Sequence, residues 1–369
     1  MGTKNLNSAT DLITFTRASG GTALRKISYG SELVTNGDFD GNIDGWTGGS
    51  YDAVTGDLSL ISSGFVDAYQ IGFDPTKKYL LTYTVSEYTS GNISAYDGTK
   101  FGSYTNAVGT YSIIISPDVQ RLGVRGQNGP VDAKISNISV KEVLYDQPDG
   151  TLQLFNHPDN VPRIEYDADG TVKGLLIEEA RTNLDTNSET FSGAVDGVTV
   201  TPNVATAPDG TQTATKLVVN LGVTVIPRLV VSGGQDQPTN ISSIFAKAGE
   251  GSFNKIGLGA WNYAGYTAFA YFDLNTGTFD YIFKTSNRDI EDYGVESVGN
   301  GWYRVWIKPL NDSGTGMITV VSDDTVNSQV SATAGNGVDG IYIWGHQVEQ
   351  GTFPTSYIPT SGATATRAA

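Results

Sequence analysis

Runs of apolar–polar alternation, cut apart by Asn-Gly and Asp-Gly pairs, constrain this chain more than any other feature. Over 79–86, Tyr79, Leu81, Tyr83 and Val85 share one face, and Thr82, Thr84 and Ser86 share the other. Over 111–116, Tyr111, Ile113 and Ile115 fall together. Over 302–308, Tyr303, Val305 and Ile307 point one way, and Trp302, Arg304, Trp306 and Lys308 the other. A period of two belongs to a strand with one buried face. The stretch 341–348 is apolar on both faces near its centre, which predicts a strand covered on both sides. Asn36-Gly37, Asp97-Gly98, Asn128-Gly129-Pro130, Asp149-Gly150, Asp169-Gly170 and Asp209-Gly210 supply the turns between runs. Helical periodicity is nearly absent; only 175–182 would allow a single helical turn, stopped by Asn183. There are no coiled-coil heptads and no repeat of solenoid length.

A long, weak repeat sets the domain plan. One copy opens at 31–40, continues through a central strand at 79–88 and a Gly-aromatic strand at 109–116, and closes at 134–143. The other opens at 183–193, turns at Asp209-Gly210, continues through 240–251 and 301–310, and closes at 340–351. With 369 residues there is room for two cores. The expectation is an all-β chain of two antiparallel β-sandwich domains, of jelly-roll type, with a short N-terminal segment. The segments are 1–30, a first module at 31–143, a connector at 144–181, and a second module with a C-terminal tail at 182–369. In the connector Leu152, Leu154, Phe155, Ile164, Tyr166, Leu175, Leu176 and Ile177 need a surface to cover, so it is expected to pack on the second sandwich.

Charge and composition narrow the partners. The net charge of −16 repels phosphate backbones and anionic bilayers, so neither nucleic-acid binding nor membrane insertion is expected. Without cysteine there are no disulfides, thiolate metal sites or cysteine nucleophiles. The first residues carry no apolar signal-peptide core. The most apolar long stretch, 216–231, is broken by Asn220, Pro227 and Arg228 and cannot span a bilayer. These absences fit synthesis in a bacterial cytoplasm followed by assembly into something larger.

Catalytic arrangements are sparse. His157 and His346 are the only histidines, each read as packed or on the surface, and no Gly-x-Ser-x-Gly elbow occurs. Gly335, Gly337 and Gly340 match a dinucleotide spacing, but a strand follows them where a helix is required. Glu178-Glu179 and Glu291-Asp292 are adjacent, and neighbours on a strand face opposite ways, which spoils a glycosidase pair. No enzymatic activity is expected. Asp38, Asp40, Asn42 and Asp44 alternate along one loop and offer oxygen ligands to a structural calcium; the competing reading, a solvated turn, is favoured over it. No other cofactor is implied. Glycan stacking asks for exposed rings beside polar groups. Trp46, Tyr51, Tyr96 and Tyr104 are candidates in the first module, and Trp261, Asn262, Tyr263 and Tyr266 in the second. The competing reading is that these aromatics fill cores or subunit contacts.

Three segments carry a resemblance. Residues 11–23 (DLITFTRASGGTA), 161–184 (VPRIEYDADGTVKGLLIEEARTNL) and 341–369 (IYIWGHQVEQGTFPTSYIPTSGATATRAA) resemble blocks recurrent in tail-fibre and head-fibre proteins of tailed bacteriophages. In that family the first block leads quickly into the second, so 31–143 looks like an insertion. The insertion is similar to jelly-roll carbohydrate-binding modules through 33–46 and 135–143. The resemblance implies a structural protein on the virion surface, a head fibre decorating the capsid or a short tail fibre. Its partners would be capsid or tail proteins, copies of itself in a homotrimer, and host-surface polysaccharide. Leu12, Ile13, Phe15 and Arg17 would dock the N-terminal segment on the particle. The alternative is a carbohydrate-binding or glycan-hydrolysing protein not tied to a virion.

Overall fold

The structure, a computed structural model, describes residues 17–98, 104–222, 227–231, 240–261, 267–284, 289–310, 315–321 and 335–369. Every regular element among them is a β-strand. The chain divides into two compact units, one formed by Ile27–Gly150 and the other by its two flanks, Met1–Lys26 and Thr151–Ala369. We call them the insert unit and the flanking unit. The first division falls inside a strand, and the second leaves 144–150 with the insert unit and the rest of the connector with the flanking unit.

The insert unit contains β1 (Gly21–Glu32, from Ile27 onward), β2 (Ser50–Asp52), β3 (Asp57–Ser62), β4 (Val66–Ile71), β5 (Tyr79–Tyr96), β6 (Gly109–Ile115) and β7 (Arg121–Tyr145). Strand β7 organises it, pairing antiparallel with β1, β3, β4 and β5, while β6 extends β5. The two long strands break their regular path at Gly91 (φ 87) and at Asn128-Gly129 (φ 66 and 117). Left-handed φ values suit Gly and Asn there, and such irregularities let one strand serve two layers. Both parts of each strand then line one core: Leu81, Tyr83 and Val85 with Ile93 and Ala95 from β5, and Ile135 and Val140 with Leu122 and Val124 from β7. Each fully buried side chain of this size contributes about 1.5–3 kcal/mol.

The flanking unit contains β8 (Thr151–His157), β9 (Ile164–Tyr166), β10 (Val172–Leu175), β11 (Arg181–Asn183), β12 (Val195–Asp196), β13 (Val198–Ala205), β14 (Ala214–Val219) and β15 (Arg228–Val231). It continues with β16 (Asn240–Ala248), β17 (Lys255–Trp261), β18 (Thr267–Asp273), β19 (Thr278–Lys284), β20 (Asp289–Gly299), β21 (Trp302–Leu310), β22 (Thr315–Val321), β23 (Gly340–Gln350) and β24 (Ala365–Arg367). Two six-stranded sheets, β12-β15-β22-β17-β18-β19 and β13-β14-β23-β16-β21-β20, make a sandwich. Leu229, Ile256, Leu258, Phe272 and Ile318 of the first meet Leu217, Ile244, Val305, Ile307 and Ile341 of the second. The second sheet is covered on its other side as well, where Phe245, Trp302 and Trp344 pack with Leu24, Leu152, Leu154 and Tyr357. This is why β23 is apolar on both faces.

The connector residues Leu152, Leu154 and Phe155 are buried, whereas Ile177 is 80% exposed. Residues 175–182, which the sequence would allow to form a helical turn, contain none: β10 ends at Leu175 and β11 begins at Arg181, with no regular element between. Leu176 donates its amide to the Arg163 carbonyl, and β11 pairs with β24 through Arg181–Arg367 and Asn183–Ala365. Tertiary partners override a weak local preference.

Candidate functional site

In the insert unit, three strands carry one surface row by row. Ala68, Leu122, Val124, Ile93 and Ala95 turn into the core, so their alternate neighbours occupy the opposite face. Register places Tyr69, Gly123 and Tyr96 in one row, Asp67, Arg125 and Ser94 in the next, and Ile71 beside Arg121. A bridge from Ile93 to Thr105 sets Tyr104 opposite Ser94 at the edge.

The side chains of these rows form a continuous stack of rings and guanidinium groups. Arg121 lies 4.9 Å from the Tyr69 ring centre, Tyr69 and Tyr96 meet edge to face at 6.0 Å, and Arg125 sits 4.4 Å above Tyr96 and 5.0 Å from Phe65. Gly123 permits this, because a Cβ there would stand 2.0 Å from the Ala68 carbonyl oxygen. Asp67 grips Arg125 through two hydrogen bonds, from Nε and Nη2, and this carboxylate holds the guanidinium above its ordinary pKa. Phe65 is 65% exposed and Tyr104 52%, so the stack opens to solvent at two edges. Ser94 is 0% exposed, and its Oγ has no hydrogen-bond partner among the described residues; nor has Gln127 Nε2. Buried polar atoms without partners cost stability.

Of the residues expected to bind glycans, Tyr96 and Tyr104 belong to this face. Trp46 does not: it is buried against Phe39 at 5.6 Å and donates Nε1 to the Asn36 carbonyl. Its Gly-rich polar setting looks like an exposed loop, yet the loop folds its ring inward as a plug for the core. Tyr51 stands half-buried on the short strand β2, opposite Leu58 and away from the stack. Trp261 ends β17, paired with Thr267 and Thr315, while Asn262, Tyr263 and Tyr266 lie outside the described residues. Near Trp261 in the sheet, Phe269 and Tyr271 are buried in a small cluster with Tyr281 and Phe283. Tyr69, Asp67, Arg121 and Arg125 were absent from the expected set. Alternation was available to find them, since 121–127 reads Arg-Leu-Gly-Val-Arg-Gly-Gln.

Asp38, Asp40, Asn42 and Asp44 are all exposed. Asn42 Oδ1 is used inside the turn, accepting from the Asp44 amide and from Asn36 Nδ2. Among the described residues no three acidic or histidine side chains gather in a metal-holding group. Leu12, Ile13 and Phe15 lie outside the described residues. Arg17 is buried, donating to the carbonyls of His157 and Pro158, which removes it from any exposed docking surface.

The flanking unit concentrates charge instead in a buried clasp. Arg163 and Arg367 both reach Glu178 Oε2, at 2.8 and 3.3 Å, and both donate to Ser356 Oγ at 2.7 Å. Ser356 in turn donates its amide and hydroxyl to Glu178. Arg304 donates to the Thr355 carbonyl, and Glu349 accepts from the amide and hydroxyl of Thr355. Asn183 ties the His346 and Ile358 carbonyls together. A cavity of about 130 Å³ lies beside this clasp, walled by Glu165, Tyr166, Glu178, Glu296 and Arg304. Small-molecule sites run from about 300 Å³ upward, so it is too small for a sugar chain.

One arrangement within the clasp resembles a nucleophilic triad. Ser242 Oγ lies 3.1 Å from His346 Nε2, and His346 Nδ1 lies 2.6 Å from Asp185 Oδ2. Ser242 is 1% exposed and His346 0%, and neither lines the cavity. Ser242 also sits mid-strand in β16, hydrogen-bonded into the ladder between β21 and β23. A nucleophile needs a substrate within about 3 Å, and this one is sealed. The chain of hydrogen bonds satisfies buried polar groups. Ser242→Ala is therefore expected to cost about 1–3 kcal/mol by stranding the imidazole nitrogen. A fluorophosphonate probe is expected to leave Ser242 unlabelled in the folded wild type; labelling would reverse this reading.

No family model matches the chain, and no curated protein matches it. Among solved structures it is similar to the N-terminal CBM22-1–CBM22-2 tandem domain of Paenibacillus barcinonensis Xyn10C. The identity is 11% over 87% of this chain and 97% of that one, with a TM-score of 0.26. A superposition that loose carries no argument about fold detail or ligand.

Proposed function

We propose that this protein is a non-catalytic, glycan-binding component of a tailed-phage virion, a head fibre or short tail-fibre subunit, and that the insert unit holds the glycan. The observation that carries the binding reading is the stack from Phe65 to Arg121, with the exposed Tyr104 at its edge. Rings supply apolar faces for pyranoses, and the fixed Arg125–Asp67 pair supplies donors and acceptors for hydroxyls. Support for the virion comes from the three fibre-like sequence blocks. Five of their charged residues, Arg17, Arg163, Glu178, Glu349 and Arg367, are spent inside the flanking unit, which suits a rigid mount. A homotrimer displayed in many copies would make weak single-site binding effective.

Phe65→Ala and Tyr104→Ala test the binding face with little structural risk. Both rings are exposed enough that stability should move by less than about 1 kcal/mol. Affinity for a retained glycan, read by affinity electrophoresis, should fall roughly tenfold in each. Unchanged retention in both variants would remove the face from consideration. Sedimentation of the protein with purified particles tests the virion assignment, and its absence from them would remove that.

A further inference from the structure

We propose that the Phe65–Arg121 face selects acidic polysaccharide, with Arg121 receiving a sugar carboxylate. This rests on the glycan-binding reading above and narrows it to a substrate class. The argument is one of charge. The chain carries a net charge of −16, so most of its surface repels polyanions. The face differs: its rows bring together Arg121, Arg125 and one carboxylate, Asp67.

That carboxylate is engaged by Arg125, and no ion pair of the described residues involves Arg121. Arg121 is instead laid against the Tyr69 ring at 4.9 Å, with its neighbour across the strand, Ile71, 73% exposed. Stacking orients the guanidinium and leaves its edge donors for a carboxylate, which that fork matches. Arg121 and Arg125 are four residues apart on one strand face, so about 13 Å separates their Cα atoms. This exceeds one sugar unit and suits a chain lying along β7. A neutral glycan would use the rings equally well but would leave Arg121 without a counter-charge.

The test uses the full chain in affinity electrophoresis through polygalacturonate, through the same polymer after carboxyl reduction, and through a panel of neutral polysaccharides. Retardation by polygalacturonate is expected to weaken as salt is added and to vanish with the carboxyl-reduced polymer. Arg121→Gln should lower the affinity about tenfold. Lys77→Gln, which removes a charge from an exposed pair with Glu142, should not. Equal retardation by the native and reduced polymers would overturn the acidic class and leave the glycan reading standing. Failure to bind any polymer, acidic or neutral, would overturn both. The native-versus-reduced comparison leaves the protein unaltered, so it decides the question even if the Arg121 variant misfolds.

Discussion

Replacing Glu178 by Ala is expected to destabilise the flanking unit by about 3–5 kcal/mol and to leave the insert unit untouched. Glu178 is the carboxylate on which Arg163 and Arg367 converge, and both arginines are among the most deeply buried large side chains of the chain. Burial alone would raise its pKa. Arg367, the Ser356 hydroxyl and amide, and Arg163 together hold it below the ordinary carboxylate value. Removing it strands two guanidinium groups that cannot lose their protons, which is the costly way to break a buried pair. Glu178→Gln should cost nearly as much, because it keeps the volume but loses the charge and puts a donating amide nitrogen where an oxygen accepts. Since the folded pKa is depressed, this contribution is present above the unfolded value of about 4.5 and lost as pH falls through the folded one. Calorimetry should show one transition displaced in both variants. Trp46, the only tryptophan of the insert unit, provides a separate fluorescence signal. A shift below about 1 kcal/mol would mean that the clasp is solvated rather than structural.

That clasp explains what the sequence could and could not reveal. The alternation of Tyr79, Leu81, Tyr83 and Val85 predicted a half-buried strand, and all four are buried in one core. The both-faces apolarity of 341–348 predicted a covered strand, and Ile341 and Trp344 do lie in different clusters on opposite sides. Local pattern reports a residue's face. It does not report which residue stands beside it. Tyr69 and Tyr96 become neighbours only because β4 and β5 each register against Gly123 of β7. In the same way Arg17, Arg163, Glu178 and Arg367 look like ordinary surface charges, since an isolated charge is rarely buried. Burial is tolerable only because Arg163, Glu178 and Arg367 meet at Ser356, while Arg17 donates to the His157 and Pro158 carbonyls. The fibre-like blocks are thus legible as a pattern, while their physical content, a buried ionic knot, appears only when residues as far apart in the chain as Arg163 and Ser356 are brought together.

Glu189→Gln is expected to stabilise the flanking unit at pH 8 and to change little at pH 4. Glu189 accepts a hydrogen bond from the Tyr357 hydroxyl at 3.1 Å, and that hydroxyl is shared with Ser188 at 2.7 Å. Burial, then the nearby Asp209 carboxyl, push the Glu189 pKa up to about 7, against the smaller opposing effect of the Tyr357 bond. Asp209 is itself raised by burial, although the Thr211 hydroxyl and amide stabilise its charge. Between about pH 4.5 and 7 the folded state keeps a proton that the unfolded chain releases, so stability declines across that window and levels off above it. Each unit of displacement is worth about 1.4 kcal/mol, and Glu189 is only half-buried, so the recoverable amount is about 1–3 kcal/mol. An amide keeps the acceptor for Tyr357 and cannot ionise, which removes the penalty without removing the bond. The slope opposes that of Glu178 and lies at higher pH, so the wild type should be most stable in the mildly acidic range. In the Glu189 variant the decline toward pH 8 should flatten. Urea titrations at pH 4, 6 and 8 measure this directly, and a variant no more stable than wild type at pH 8 would show that Glu189 ionises freely in the folded protein.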